Sequence, residues 1–298
     1  MGDGPPLVSI GLPVRNGAAG LPRVLEGLVG QTYAHLEIII SDNASTDDTE
    51  RLCRAAAARD PRITYIRQPR LLSVLANWRA TVEPARGALF MFAAHDDFRS
   101  INFVETLVGA FRDHPEASLA FSDVVEFADY DEALRLPRLA HDFETGGLNL
   151  IARLRKQTRN GCDHVYGLIK TEHLRSYAWH EDVSWDVAFL AYLAVRGPLV
   201  YASGATFYYR RTAGQTIEVR ARETSLGRVH RLQTARTAWL TARAIADAHR
   251  RQGEWRPAAL TFPAIFYFFM QGVRGMVASV TPAPMRSALR RLAGSPRG

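Results

Sequence analysis

Residues 87–100 read GALFMFAAHDDFRS, an apolar run followed at once by two acids, Asp96 and Asp97. A short, continuous apolar run bounded by polar residues predicts a buried strand. In open α/β sheets, ligands bind beyond the carboxyl ends of the strands, where neighbouring carboxylates can hold a hard divalent cation that bridges a pyrophosphate. The stretch therefore predicts an α/β sheet with a nucleotide-dependent site at the end of this strand.

The chain before this stretch repeats the pattern of a buried strand followed by a helix. Apolar runs predict strands at residues 8–12, 36–40 and 63–67. Helical patterns lie between them, at residues 21–28 and in a segment that runs to about residue 59. Strands that alternate with helices predict a mostly parallel, Rossmann-like sheet with helices on both faces.

Polar side chains cluster at the ends of the predicted strands. Because the carboxyl ends of parallel strands meet at one edge of a sheet, we expect these side chains to lie together. Ser45 or Thr46 is expected to cap the second helix, whose first turn would hold acids that suit the helix dipole. The residues at or just beyond the strand ends are Arg15, Asn16, Asp42, Arg67, Asp96 and Asp97.

Three stretches together resemble the nucleotide-sugar domain of inverting family 2 glycosyltransferases of the bacterial type, which have the GT-A fold. They are SIGLPVRNG, the strand that ends in SDNASTDDT, and HDD after an apolar strand. The resemblance covers roughly residues 7–211, and the joint order of the motifs is more specific than any one of them. It implies transfer of a sugar from a nucleotide diphosphate donor, a UDP or dTDP sugar, to an acceptor nucleophile with inversion at the anomeric carbon.

The resemblance also implies roles for individual residues. Asp42 would accept the imide hydrogen of uracil or thymine, and Asp97 would be the direct ligand of a manganese or magnesium ion. Asp96 would contact ribose or donor sugar and support the metal. His95 is expected to pack at the strand end, or to donate a hydrogen bond without binding the metal itself, because these metals prefer oxygen ligands. The expected nucleotide and donor contacts are Pro13, Arg15, Asn16, Asp42, Asn43, Arg67, Asn77, His95 and Asp96.

The catalytic base maps to Asp186, because the amphipathic helix that follows and its terminating Gly197 keep the family's distance from that acid. Glu181 and Asp182 lie close by and also give an acidic pair, so Asp182 is the alternative. Inversion needs one base and no protein nucleophile, and a positioned base contributes about a hundredfold to ten-thousandfold. A cation held by acids elsewhere would stabilise the charge on the leaving phosphate.

Two departures from the family pattern concern the donor side. Relatives commonly place a glycine-containing turn before the helix that carries the equivalent of Asn77, whereas this chain has Leu71 and Leu72 there. Many relatives also have a histidine after the sequence that matches FYYRR, but here the chain continues TAGQT. The donor loop is therefore expected to be reshaped, and the metal to be held chiefly by Asp97, pyrophosphate and water.

Domain organisation follows from length and charge. The 298 residues can form a catalytic domain at 7–214, with a nucleotide-sugar half at 7–123 and an acceptor half at 124–214, followed by a basic helical region at 215–298. Residues 201–298 carry 16 basic and 4 acidic side chains, so all of the positive excess behind the net charge of +7 lies in this segment. Residues 223–293 are expected either to pack on the catalytic domain or a second copy, or to contact a membrane surface.

Composition excludes several other classes. Cys53 and Cys162 are only two cysteines, so a disulfide framework is not expected, and the N-terminus MGDGPPL has no signal-peptide pattern. We therefore expect a cytoplasmic location, either free or peripheral to the inner face of the membrane. Aromatic residues do not alternate with the basic ones, so no nucleic-acid partner is expected. Nucleotidyl transfer, or non-catalytic binding of nucleotide sugars, remain the alternative functions.

Overall fold

The computed structural model describes residues 4–127, 136–138, 143–157, 163–177, 179 and 185–210, all within the first of the two units, Met1–Thr212, into which the chain divides. The strands are β1 Val8–Val14, β2 Leu36–Asp42, β3 Ile63–Arg67, β4 Leu89–Phe92, β5 Phe98–Arg99, β6 Leu119–Phe127, β7 Leu136–Arg138, β8 Leu168–Lys170 and β9 Leu199–Arg210. The helices are α1 Leu21–Val29, α2 Thr49–Arg59, α3 Val74–Val82, α4 Phe103–Asp113, α5 Leu150–Gln157, α6 Thr171–Ser176 and α7 Trp185–Arg196.

These strands form one mixed sheet in the order β3-β2-β1-β4-β8-β6-β9-β5, with β7 paired to β6. The first four strands of that order are parallel, as the alternation of strands and helices predicts. β8 enters antiparallel between β4 and β6, and β6 and β9 are again parallel to each other. The predicted α/β sheet with helices is therefore confirmed, and the acceptor half extends it with strands of both directions.

The register of the parallel strands brings the predicted polar residues to one edge. Val14 pairs with Asp42, and Asp42 pairs with Arg67, so β1, β2 and β3 end side by side. The Ala93 amide donates to the Gly11 carbonyl at 2.8 Å, which keeps the chain after β4 beside β1. The segment that holds the two acids after β4 thus leaves the sheet at this same edge.

The helix α3 lies against β1 and β2. A methyl group at Gly11 would overlap the side chains of Thr81 and Phe90, so the absence of a side chain there permits the close approach of α3 to β1. The N-terminus of α3 is capped by Ser73, whose hydroxyl accepts from the Ala76 amide at 3.2 Å. This packing fixes the helix that carries Asn77.

The helix α7 differs from the sequence-based expectation. The spacing of its apolar residues predicted one buried face, but residues 188–195 are all buried. A helix that is apolar all round belongs inside a protein rather than at its surface. None of the helices in the described ranges is both long enough and apolar enough to span a membrane. The domain boundary near Gly214 and the basic helical region at 215–298 lie outside the described residues and stay predictions.

Candidate functional site

The loops that follow β1 and β2 are joined to each other by hydrogen bonds. Asn16 and Ala44, one in each loop, have φ values of +49° and +51°, a conformation that costs L-residues free energy. The bonds run from Asn16 N to Ser45 Oγ at 2.9 Å, Thr46 N to Asn16 Oδ1 at 2.8 Å, Gly17 N to Thr49 Oγ1 at 2.9 Å and Ala18 N to Asp47 Oδ2 at 3.1 Å.

This pairing corrects the predicted start of the second helix. The expected caps, Ser45 and Thr46, are hydrogen-bonded to Asn16. The helix α2 begins at Thr49, and Asp48 at its N-cap position makes no capping hydrogen bond with its side chain. The acid Asp47 accepts from the Thr49 amide and hydroxyl. The interaction between the two loops therefore delays the helix and leaves residues 43–48 as a fixed loop at the sheet edge.

Asp42 lies at the centre of this edge and is fully buried. Its Oδ1 accepts from the Ser45 amide at 2.9 Å, and its Oδ2 accepts from the Tyr65 hydroxyl at 2.8 Å and Arg67 Nη1 at 2.6 Å. Burial alone would raise the pKa of Asp42, but the hydrogen bonds from Ser45 and Tyr65 and the charge of Arg67 lower it. Asp42 is therefore an ionised acceptor whose orientation is set by three donors.

The neighbouring amides Asn43 and Asn77 are also buried and face protein groups. Asn43 bonds the backbone of Leu72 through both ends of its amide, at 3.0 and 2.7 Å, and so fixes the loop before α3. Asn77 accepts from the Ser41 hydroxyl at 2.7 Å and donates to the Ser41 carbonyl at 3.2 Å. Among the other predicted contacts, Pro13 is buried in β1, and Arg15 is exposed.

Asp97 is held in place by a hydrogen bond from β9, the last strand that the structure describes. Its side chain is buried, and its Oδ1 accepts from the Arg210 amide at the end of β9 at 2.7 Å. The segment that follows Asp97 pairs with β9 as β5, and the Ser100 amide donates to the Thr206 carbonyl at 2.9 Å. The acid that comes after β4 is thus positioned by a strand more than a hundred residues later in the chain.

Arg99 places a buried positive charge near Asp97. Its Nη2 donates to the Phe92 carbonyl at 2.6 Å, and its guanidinium lies 4.8 Å from the ring centroid of Phe207. Its Nε and Nη1 have no hydrogen-bond partner within the described part of the chain. Burial lowers the pKa of Arg99 to about 10, and the charge of Asp97 opposes that shift, so the guanidinium is charged at neutral pH. The negative charge of Asp97 thus favours the charged form of the buried Arg99.

The chemistry of Asp96 and Asp97 suits a hard cation. Carboxylate oxygens are the ligands that magnesium and manganese prefer. Within the described residues, no group of three or more histidine, cysteine or acidic side chains could hold a metal. His95 packs against Gly17, since a methyl group at Gly17 would come within 2.9 Å of the imidazole.

Aromatic side chains line the region beside these acids. The Trp78 ring lies 4.8 Å from that of Phe92 and 5.8 Å from that of Tyr166, measured between centroids. Tyr166 stacks on Phe207 at 5.0 Å. Burial raises the pKa of Tyr166, and the negative charges of Asp97 and Asp96 raise it further, so its phenol stays protonated close to both acids.

Of the two candidate bases, the structure describes Asp186 but not Asp182. Asp186 is a half-exposed residue in the first turn of α7. Asp182 and Glu181 lie outside the described residues, and so do residues 128–135 of the acceptor half. Trp179, which precedes this gap, contacts Phe92 and Phe189 at 6.4 and 6.0 Å between ring centroids, and thereby connects the end of β4 to α7.

Sequence reasoning missed Tyr65, Tyr166, Arg99 and Arg210. Arg99 did carry a signal, because it is two residues from Asp97 in an extended segment and so shares its face. Tyr65 alternates with Arg67 in the same way within β3. Neither Tyr166 nor Arg210 has a local pattern that relates it to the acids, since both are brought there by pairing of distant strands.

Comparison with known sequences identifies the family. The model described as glycosyl transferase family 2 matches residues 9–183, more than half of the chain. Glycosyltransferase GlyG of Streptococcus pneumoniae is 27% identical over 129 residues, 43% of this chain and 41% of that protein. Chondroitin synthase of Escherichia coli is 34% identical over 107 residues, 36% of this chain and 16% of that protein. The matches span less than half the length of these relatives.

Solved structures show the same fold at low identity. S. aureus TarS 1-349 in complex with UDP-GlcNAc superposes with a TM-score of 0.61 at 12% identity, covering 97% of this chain and 93% of that one. Mannosyltransferase PcManGT from Pyrobaculum calidifontis, in complex with GDP-Man and Mn²⁺, gives a TM-score of 0.52 at 16% identity, covering 98% and 80%. The match to the family model shows that the chain belongs to glycosyl transferase family 2, and the solved structures show that it has the GT-A fold.

Proposed function

We propose that the protein transfers a sugar from a UDP or dTDP sugar to an acceptor nucleophile with inversion, assisted by a divalent cation and with Asp186 as general base. The observation that carries the proposal is the placement of Asp42, the last residue of β2, and of the Asp96–Asp97 pair, which follows β4, at one edge of the parallel sheet. This is where open α/β sheets bind their ligands. The nucleotide-sugar complexes of TarS and PcManGT support the donor class.

Each end of the donor has a proposed contact. Asp42 accepts the imide hydrogen of the base, because an ionised carboxylate held by three donors is a fixed acceptor. Asp97, with Asp96 beside it, would hold a manganese or magnesium ion. Asn16, Arg15 and the backbone near Pro13 line the nucleotide pocket. Such a cation, when bound, stabilises the negative charge that develops on the leaving diphosphate.

The acceptor side is proposed to be served by Asp186. A carboxylate in the first turn of α7 removes the proton of the attacking hydroxyl, and the buried helix behind it keeps its position. Arg99 adds a buried positive charge that interacts with the proposed ligand Asp97. With one base and no protein nucleophile, the sugar inverts. The acceptor is a glycan, a lipid-linked sugar or a small molecule of a polysaccharide or natural-product pathway.

Incubation with a panel of nucleotide sugars and Mn²⁺, with the released product identified, tests this function. A glycosyltransferase releases nucleoside diphosphate, at least by slow hydrolysis. Release of pyrophosphate would instead identify nucleotidyl transfer, and binding without any release would identify a non-catalytic nucleotide-sugar protein. Inversion is measured by NMR of the anomeric configuration of the product, and a retained configuration would overturn the one-base mechanism.

The metal site has its own test. Asp97→Asn should abolish turnover and weaken Mn²⁺-dependent UDP binding, because it removes the charge of the proposed ligand, while circular dichroism remains that of the wild type. Asp113→Asn, an exposed acid at the end of α4, is the matched control. Unchanged metal dependence of UDP binding in Asp97→Asn would exclude this acid as a ligand.

The location and assembly of the protein are proposed on the sequence alone. The basic charge of residues 201–298 favours either packing of residues 223–293 on the catalytic domain or a second copy, or contact with an anionic membrane face in the cytoplasm. Sedimentation of the full chain with anionic vesicles, and its mass by light scattering, separate these arrangements.

A further inference from the structure

Arg99 is a buried cation whose polar atoms are poorly satisfied. The residue is 7% exposed, and its Nε and Nη1 are buried without a hydrogen-bond partner within the described residues. Its Nη2 donates to the Phe92 carbonyl at 2.6 Å. A buried charge costs free energy, and buried polar atoms without a partner are rare in protein interiors. Packing alone therefore does not explain a guanidinium at this position.

The surroundings of this guanidinium are apolar. It lies 4.8 Å from the ring centroid of Phe207 and 5.5 Å from that of Phe103, and both rings belong to the hydrophobic core. Water and salt screen a buried charge much less than an exposed one. The positive charge of Arg99 therefore acts strongly on charged groups near it.

Asp97 is one of these charged groups. Arg99 follows it by two residues in an extended segment, so the two side chains share a face. Both side chains are also fixed by backbone groups at strand ends, Arg99 by the Phe92 carbonyl of β4 and Asp97 by the Arg210 amide of β9. The charge of Asp97 raises the pKa of Arg99 against the effect of burial, so the two charges act on each other.

A fixed positive charge beside Asp97 has opposite effects on the two ions proposed for this site. It repels a divalent cation held by Asp96 and Asp97, because the two charges have the same sign. It attracts the diphosphate of a nucleotide, because that group is negative. The two effects oppose each other when the metal and the diphosphate are bound together.

We propose that Arg99 tunes this site as a fixed cation, which weakens the binding of a free divalent metal ion and strengthens the binding of the nucleotide diphosphate. The inference rests on the proposed function, in which the metal lies at Asp97 with the diphosphate beside it. Arg99 acts through its charge, without touching the donor. A metal ion that is repelled alone is accepted together with the diphosphate, whose negative charge offsets the repulsion.

The test measures each ion by itself. Isothermal titration calorimetry gives the Kd of Mn²⁺ without nucleotide, and the Kd of UDP and of dTDP without metal. Arg99→Gln removes the charge and keeps an amide donor for the Phe92 carbonyl. This variant should bind Mn²⁺ roughly threefold to tenfold more tightly than the wild type, and the metal-free nucleotides more weakly by a similar factor.

Two further variants are the controls. Arg99→Lys keeps the positive charge and should stay close to the wild type in both Kd values. Arg112→Gln removes an exposed positive charge in the last turn of α4, the end of this helix that is far from Arg99, and should change neither Kd. A change of the same size in Arg112→Gln would show that the net charge of the protein, and not Arg99, sets the affinities, and would overturn the proposal.

The sign of the two changes separates an electrostatic role from damage to the site. A local distortion weakens both ligands together, so loss of both affinities in Arg99→Gln would overturn the proposal, as would two unchanged Kd values. If circular dichroism shows that Arg99→Gln does not fold, the wild type is compared with metal-free UDP and uridine. UDP should bind at least as tightly as uridine, because Arg99 offsets the repulsion between the diphosphate and the acids, and weaker binding of UDP would overturn the proposal. Failure of the wild type to bind Mn²⁺ even with UDP or dTDP present would instead overturn the metal-assisted function.

Discussion

Asp42→Asn is the substitution whose effect on stability the structure defines best. The asparagine keeps the acceptor for the Ser45 amide, but it puts an N–H donor where Oδ2 accepts from Tyr65 and Arg67. The lost hydrogen bond between Tyr65 and the buried carboxylate should cost about 1.5–3 kcal/mol of unfolding free energy. Arg67 is 32% exposed and also pairs with Glu50, so it can turn to solvent and adds nothing to this figure.

The pH dependence of this loss follows from the direction of the pKa shift. Burial would raise the pKa of Asp42, but the bonds from Ser45 and Tyr65 and the charge of Arg67 lower it. A carboxyl group with a lowered folded pKa contributes stability above its unfolded pKa of about 3.9, and this is lost as the pH falls through the folded pKa. The stability difference between wild type and variant, measured by urea unfolding, should be full at neutral pH and shrink below about pH 4.

The same variant tests recognition of the base. The N3 of uracil carries a hydrogen to donate, whereas the N3 of cytosine accepts, so an asparagine at position 42 can serve cytosine. Asp42→Asn should weaken UDP binding about tenfold to a hundredfold and leave CDP binding unchanged or tighter, measured by calorimetry. Tyr65→Phe, which removes a donor but keeps the acceptor, should preserve the preference for UDP. An equal loss of UDP and CDP affinity in Asp42→Asn would refute base recognition and leave a structural role.

Three further predictions concern other parts of the site. Asp186→Asn should keep UDP affinity and lower transfer at least about a hundredfold, whereas Asp182→Asn should be milder; the reverse order of activities in a transfer assay would move the base to Asp182. Arg99→Met should destabilise the fold, because it removes the bond to the Phe92 carbonyl and a positive charge on which Asp97 acts. Urea unfolding of the Asp97→Asn/Arg99→Met double variant should show less than the summed loss. Additive losses of unfolding free energy would show that the two charges do not interact. Ala44→Gly should raise the unfolding free energy by up to about 1 kcal/mol because it relieves a positive φ; a lower melting temperature would show that the entropy of the unfolded glycine dominates.

The parallel part of the fold could be predicted from the sequence because its signals are local. The apolar runs at 8–12 and 36–40 are buried throughout, whereas the run at 63–67 forms the edge strand β3, in which only Ile63 is buried. The alternation with helices sets the direction of these strands. Their register then places Asp42 and Arg67 side by side, as the expected common edge requires. The order of the motifs was sufficient to indicate the family.

The N-terminus of α2 and the surroundings of α7 could not be predicted in the same way. Ser45 is a good capping residue by itself, but the amide of Asn16 from another loop takes its hydroxyl, and the helix begins at Thr49. The spacing within α7 indicated one buried face, but residues 188–195 are all buried, and α5 and the rings of Tyr177 and Trp179 pack against this helix. Local propensity is a weak preference that contacts of this kind override.

The sequence by itself determined the strand ends that carry the acids, since a carboxylate directly after a buried apolar run must lie at the edge of the sheet. Only the tertiary structure decided what surrounds those acids. The Arg210 amide at Asp97 and Tyr166 beside both acids come from strand pairings that join residues tens to more than a hundred positions apart. Such pairings depend on the packing of whole strands, and no local pattern of residues predicts them. The tendency of a strand to be buried, by contrast, follows from the apolar residues of the strand itself.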